Sequence, residues 1–509
     1  MAAREAVAAQ VVRPLSRAFP QLRFLPFAFC TLWADLMFNT GASVGSTGVH
    51  TLVISDMAVL STVGFVAVPL VAALLWRRIE AGALFLNGRL LALAACAAAL
   101  GTAGVRVFAW SELLVLFNGA AVLTGLGTSW LFLAAMVPYA GAYPRRAFTY
   151  AALSKALASL MFLATASVPP AAQTAVLVAM PFASAACLSL GAFGAPEAFG
   201  PPRTEGDASQ GLRQAFSKRQ RVAVVKLVAV SGVLSFTASF THGQSLAVQD
   251  LSLFLSQNVI VQMGAFAAAL AFAAAANLPL MRSFASYAKV LYAVGMALIA
   301  AMLLSPFAIE AAWLQVVSQV VYSLVDLLLW CLFAGLMFAY GVSVPLLAGW
   351  GRFAFSAGTL GAWAVSYVLF VAFPDGAAGD VAVVVMTLAL IVGVFVVFRP
   401  GDFGVLADLV VQRDQEDKER RQARALGVSA KDVATDAFAD ELCLTARERE
   451  VYAYLVRGRS ASFIAETLCV SVPTVKTHVR GIYAKAGVRS KGELLDALDE
   501  RVKRIPPAK

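Results

Sequence analysis

The sequence predicts an all-α chain: a polytopic membrane bundle of about twelve spans, six plus six, followed by a small soluble domain of four helices. Three observations carry this prediction. Of 509 residues, 60% are hydrophobic and only 14% charged, with a mean hydropathy of +0.77; soluble domains run at about 45–50% apolar and about 25% charged. Charge is unevenly spread. Residues 1–398 hold 20 Lys/Arg against 13 Asp/Glu, whereas residues 399–509 hold 20 Lys/Arg and 17 Asp/Glu. Helix-start signals become dense only after Leu442, where the long apolar runs have ended.

Taken in order, residues 1–23 form a basic cytoplasmic N-terminus carrying Arg4, Arg13, Arg17 and Arg23, without the short apolar core and cleavage site of a signal peptide. A span needs about 20 mostly apolar residues. Six fit within 24–194, at roughly 24–45, 51–75, 89–109, 112–136, 147–168 and 172–194. Residues 195–221, rich in Pro, Gly and basic residues, form a central cytoplasmic loop. Six more spans fit within 222–398, at roughly 222–241, 253–276, 284–304, 313–340, 352–373 and 379–398. Residues 399–441 read as a charged cytoplasmic linker, and 442–509 as the soluble domain.

The positive-inside rule orients this arrangement. With a cytoplasmic N-terminus, Arg77, Arg78, Arg145, Arg146, the central loop, Arg282 and Arg352 fall on the inner side. Glu112, Asp250, Glu310, Asp375 and Asp380 fall outside, with Arg106 the one basic residue near them. An even count returns the C-terminus to the cytoplasm and predicts a bacterial inner-membrane protein with both termini inside.

Six spans, a basic loop and six more resemble the layout of the major facilitator superfamily of transporters. That family's loop between spans two and three reads G-x-x-x-D-R-x-G-R; "WRRIEAGALFLNGR" here keeps basic residues and lacks the acidic–glycine pattern. The resemblance implies a central cavity lined by spans one, four, seven and ten, with flanking helices five and eight.

Polar groups in the apolar half point to such a cavity, because ionisable side chains at mid-membrane are costly. Asp35 and Asn39 lie in the first span, Lys155 in the fifth, and Gln262, beside Gln257 and Asn258, in the eighth. In the tenth, "WLQVVSQVVYSLVDLLLW" places Gln315, Gln319, Tyr322 and Asp326 at i, i+4, i+7 and i+11, one polar stripe. Singly, each is most simply an interhelical hydrogen bond worth about 0.6 kcal/mol. As a set, the stripe reads as the wall of a water-accessible site for an unknown small molecule. Lys155 is expected to face Asp35 or Asp326, since an unpaired buried ammonium sheds its proton. The glycine patterns at 41–45 and 358–361 read as close helix packing.

Metal and cofactor chemistry find no support. The six cysteines form no CxxC pair, and His50, His242 and His478 are far apart. Without a phosphate loop, nucleophile elbow or metal spacing, an enzyme is not expected, and no cofactor is.

In the tail, Thr445-x-x-Glu448 is a capping box that opens a helix, and Gly458 closes it. Ser460 caps a second helix and Ser471 a third, with Pro473 in its first turn; Ser490-x-x-Glu493 opens a fourth. On the third helix, Val475, Val479, Ile482 and Ala486 recur at i, i+4, i+7 and i+11 and face the bundle. Turning 100° per residue puts Lys476, Thr477, Arg480 and Ala484 opposite, with Thr474, His478 and Lys485 on the flank. From Arg457 to Lys491 there are seven Lys/Arg and one acidic residue, Glu466. This is the layout of a helix that enters the DNA major groove.

The run "LTAREREVYAYLVRGRSASFIAETLCVSVPTVKTHVRGIYAKAGVRSKGEL" closely resembles the LuxR-type helix-turn-helix, matching its L-T-x-R-E-x-E-V opening and its S-x-x-T-V-K-x-H-x-x-x-I-Y-x-K recognition helix. It departs at "ASF" (461–463), where that family usually has N-K-E. The resemblance implies double-stranded DNA as partner, binding as a homodimer, Lys476, Thr477 and Arg480 at base edges, and Thr474, His478 and Lys485 near phosphates, with Ser471 also among the DNA-binding residues. A twelve-span bundle joined to this module resembles a group of bacterial membrane-bound LuxR-family regulators. The expected function is therefore a one-component regulator embedded in the lipid bilayer; the alternative is a secondary transporter with a regulatory DNA-binding tail.

Overall fold

In the computed structural model the described residues are 19–39, 51–81, 83–109, 113–194, 211–248, 251–278, 311–372, 430–456, 460–468 and 470–504, with a few isolated positions such as Asp402, Val405 and Leu406. The chain divides into two compact units, one ending at Val411 and the other built from Gln412 onward.

The first unit is a bundle of long helices: α1 (Leu25–Asn39), α2 (Thr51–Leu74), α3 (Gly88–Phe108), α4 (Leu114–Ala135), α5 (Pro144–Ala166), α6 (Pro170–Gly194), α7 (Lys218–Val248), α8 (Leu251–Asn277), α9 (Ala311–Tyr340) and α10 (Val344–Ala372). Among the described residues, eight stretches are long and apolar enough to cross a membrane. Helices suit that medium because every backbone donor and acceptor is satisfied within the segment. The predicted spans at 284–304 and 379–398 lie outside the described residues, as does the glycine pattern at 41–45.

The surface of this unit is apolar. Leu93, Leu100, Val107, Leu114 and Val115 on α3 and α4 are exposed, while Ser61, Thr102, Thr124, Ser159 and Ser235 are fully buried. A patch of that kind marks contact with an apolar medium. Small residues let the helices approach closely. A Cβ on Gly358 of α10 would lie 2.2 Å from the Gly232 carbonyl oxygen of α7, and one on Gly125 of α4 would lie 2.0 Å from that of Ser61 on α2. The Gly358 contact accounts for the glycine pattern at 358–361.

The helices before the central loop meet those after it where α2 packs on α10 and α5 on α8. An aromatic cluster joins them internally: Phe27 of α1 stacks on Trp330 of α9 with centroids 4.3 Å apart, and Phe132 and Tyr139 approach the same indole edge-on. One sequence boundary changes. The span expected at 352–373 begins at Val344, so Arg352 stands two turns inside α10 and not in a loop.

The second unit comprises α11 (Ala430–Glu441), α12 (Ala446–Val456), α13 (Ala461–Thr467), α14 (Val472–Ala486) and α15 (Lys491–Arg504). Its core is Val451, Tyr452, Leu455, Ile464, Val475, Ile482, Leu494 and Leu498, with Val479 and Ala486 packed against it. The caps form as the sequence requires. Ser460 accepts from the Phe463 N–H, Ser471 from the Thr474 N–H, and Thr445 and Glu448 bond reciprocally. Gly487 ends α14 in the left-handed region at φ +67°.

Helix α11 differs from expectation. Residues 430–441 read as linker, yet Phe438 is 1% exposed in this core. Its ring meets Tyr452 edge-on, and the Arg501 guanidinium covers it at 3.8 Å while pairing with Glu441. The domain core therefore begins in a stretch whose charged composition concealed one aromatic anchor.

Candidate functional site

Two sites emerge, one in each unit. In the membrane unit, a cavity of about 140 Å³ opens between helices of the two halves. Asp35, Lys155, Gln262, Gln319, Tyr322 and Asp326 all line it. Helix α9 contributes its share by periodicity, since Gln319, Tyr322, Ser323 and Asp326 fall at i, i+3, i+4 and i+7 on one face. The side chains of Asn39 and Gln315 lie outside the described residues.

Two ion pairs occupy the cavity. The Lys155 ammonium donates to Asp35 Oδ2 at 3.0 Å, joining α5 to α1. The Arg352 guanidinium donates to Asp326, joining α10 to α9. Arg352 also lies over the rings of Phe355 and Phe132, at 4.8 and 5.4 Å. Gln262 is held by the Ser159 hydroxyl, which donates to its Oε1 at 2.8 Å, so this residue both lines the cavity and ties α8 to α5. Thr31 Oγ1 and Gln319 Nε2 are buried and have no hydrogen-bond partner among the described residues.

Arg352 is the cavity-lining residue the sequence misled on. As a lone basic residue at a span edge it scored as an inside-positive loop charge; its position within ten residues of "YGVSVP" and inside an unbroken apolar run was the available signal. Two aromatics near the expected site do other work. Trp33 is fully buried and donates its indole N–H to Thr102, and Trp330 packs in the aromatic cluster. Among the described residues no group of three His, Cys, Asp or Glu is placed to hold a metal ion.

A chain of contacts leads from α9 to Asp402 and Leu406. Tyr340, at the end of α9, donates its hydroxyl to the Leu406 carbonyl at 3.2 Å and accepts from Gln220 Nε2. Phe216 packs on the same ring at 4.3 Å, and Lys226 pairs with Asp402 at 3.0 Å. Leu406 is fully buried.

In the second unit, α14 presents Thr474, Lys476, Thr477 and Arg480 to solvent, with His478 half-buried beside them. Among the described residues neither Lys476 nor Arg480 has an ion-pair or hydrogen-bond partner. Ser471 and Thr477 are engaged in shaping the helix: Ser471 caps it, and the Thr477 hydroxyl donates to the Pro473 carbonyl. Lys485 is also engaged. Its ammonium donates to Glu448 Oε2 at 2.6 Å and to the Cys443 carbonyl at 3.0 Å, locking α14 to the start of α12. That ammonium, with the Thr445 backbone N–H, holds the Glu448 carboxyl down at about 2. Residues 457–459, including the predicted stop at Gly458, lie outside the described residues.

Known proteins resemble each unit separately. Residues 442–498 match the model for bacterial regulatory proteins of the luxR family. The monoamine regulon transcriptional regulator of Klebsiella aerogenes is 34% identical over 97 residues, which is 18% of this chain and 43% of that one; the chain thus spans less than half of that curated relative. Among solved structures, a bacterial homologue of the iron transporter ferroportin, in an outward-facing state, is similar with a TM-score of 0.51 at 15% identity, covering 74% of this chain and 98% of that one. The major facilitator superfamily transporter FucP, in the outward conformation, reaches 0.45 at 15% identity over 78% and 98%. At such identities the likeness is one of fold.

Proposed function

We propose that this chain, a luxR-family helix-turn-helix joined to a major-facilitator-like membrane bundle, is a membrane-embedded one-component transcription regulator. A small molecule enters the cavity of the membrane unit and shifts the balance between two packings of its halves; the shift alters how the C-terminal domain binds DNA, as a homodimer. The charge asymmetry of the loops favours the bacterial inner membrane with both termini cytoplasmic, and nothing in this reading calls for an enzyme.

The observation that carries it is the double role of α9. This helix supplies Gln319, Tyr322 and Asp326 to the cavity, and about 21 Å further along its Tyr340 holds Leu406, in the segment leading toward the DNA-binding domain. A ligand that binds one packing better than the other shifts the equilibrium by its differential affinity, tenfold for about 1.4 kcal/mol. The Klebsiella aerogenes relative is by name a transcriptional regulator, which supports the output assigned here.

Transcript profiling of the host tests this, comparing gene deletion with Lys476→Ala/Arg480→Ala across a panel of small organic compounds. Loss of the same compound-dependent transcripts in both strains is expected. A deletion phenotype that the double substitution does not share would overturn it.

A second reading, secondary transport with a regulatory tail, is favoured by the two ion pairs inside the cavity. Gradient-driven uptake into vesicles that Asp326→Asn abolishes would support it; ligand binding without flux supports the sensor.

A further inference from the structure

The cavity holds two ion pairs, and each belongs to a different half. Asp35 and Lys155 come from α1 and α5, Asp326 and Arg352 from α9 and α10. All four side chains are largely withdrawn from solvent, at 8 to 21% exposure. Their charges sum to zero within one chamber.

That sum constrains the guest. A ligand bearing a single charge leaves one uncompensated charge away from water, a costly outcome in a low-dielectric interior. A ligand bearing both charges, or none, keeps the sum at zero, but only one bearing both engages all four charged groups. Its carboxylate can sit with Lys155 and Arg352, and its ammonium with Asp35 and Asp326, so every group keeps an opposite neighbour. Gln319 Nε2 and the Thr31 hydroxyl add polar atoms on the wall that no other described residue engages, and Thr31 is 6% exposed.

Size and shape narrow the class. At about 140 Å³ the chamber is close to one that takes a single benzene ring, roughly 150 Å³. Its apolar walls are aromatic: Phe65, Phe132, Phe355 and Trp363. Flat faces of this kind receive a ring by offset or edge-on contact.

We infer that the cavity takes a zwitterionic molecule built on a single ring. This rests on the cavity being the ligand site proposed above. The sensor reading demands a ligand; the paired charges and aromatic walls say which chemistry it carries.

The test uses the full chain in lipid nanodiscs and three matched probes: L-phenylalanine, with both charges; 2-phenylethylamine, with the ammonium alone; and 3-phenylpropanoate, with the carboxylate alone. Binding is read by calorimetry. Phenylalanine is expected to bind at least tenfold tighter than either singly charged probe, and Lys155→Gln or Arg352→Gln to reduce that margin to threefold or less. Equal or tighter binding by a singly charged probe, or no binding by any of the three, overturns the inference.

The same nanodiscs, mixed with DNA that the full chain has enriched from a random library, separate the two readings. Phenylalanine that binds tenfold tighter without changing DNA affinity upholds the ligand class and sinks the sensor. A singly charged probe that binds tighter and changes DNA affinity does the reverse.

Discussion

The hydroxyl of Tyr340 donates to the backbone carbonyl of Leu406 across 66 residues of sequence, at 3.2 Å. The bond links the last turn of a cavity-lining helix to a buried residue well beyond it in the chain. Removing it by Tyr340→Phe keeps the ring against Phe216 and deletes the hydroxyl, and with it the longer bond accepted from Gln220 Nε2. One such bond is worth about 0.5–1.5 kcal/mol, so the ligand-dependent change in reporter transcription should shrink two- to tenfold. Membrane insertion and the affinity of the DNA-binding domain for its site should stay unchanged. An unaltered response would show that the signal takes another route.

The Arg352–Asp326 pair makes a directional prediction about stability. Asp326→Ala strands a guanidinium among rings, and breaking a buried pair costs roughly 3–5 kcal/mol; partial exposure of both groups places the expected loss at or below the lower end. The double change Asp326→Leu/Arg352→Met removes both charges and should recover most of it. Thermal unfolding in nanodiscs measures both. A double variant no better than the single one would contradict the pairing.

Glu448 predicts a pH dependence. Its folded-state pKa is lowered to about 2 by the Lys485 ammonium and the Thr445 N–H, so its contribution is fully present above the ordinary carboxylate range and is lost as pH falls from about 4.5 toward 2. Glu448→Gln should flatten that part of the stability–pH curve for residues 430–509, read by circular dichroism. Parallel curves for the two proteins would refute the assignment.

On α14, Arg480→Ala should relax base preference and cost about 1–3 kcal/mol, whereas Ser471→Ala should lower domain stability by about 1 kcal/mol through the lost cap and leave base preference alone. Selection from randomised DNA distinguishes the two. Matching preference profiles for Arg480→Ala and the parent would remove Arg480 from the base-reading face.

Much of this was legible in the sequence for physical reasons. Capping boxes and the apolar spacing of Val475, Val479 and Ile482 are local signals, and the tail folds by them. The stripe from Gln319 to Asp326 was readable because a helix turns 100° per residue and intramembrane polar groups need partners. Which partners they take is a matter of tertiary approach: Lys155 could face either aspartate, and only packing selects Asp35. Arg352 was misplaced because a window that averages hydropathy assigns a lone charge to the nearest edge. Phe438 was overlooked for the opposite reason, being one aromatic among charges that outvoted it.

The leucines and valines on the outer faces of α3 and α4 have a further consequence. A molecule coated this way does not leave the bilayer, so its recognition helix is supplied as a surface density and not as a concentration. On the reading proposed above, two copies would meet by diffusion in a plane, where confinement multiplies their encounters. On that reading, the number of copies per unit of membrane area, and the frequency with which a promoter drifts to that surface, would set the baseline on which a ligand acts.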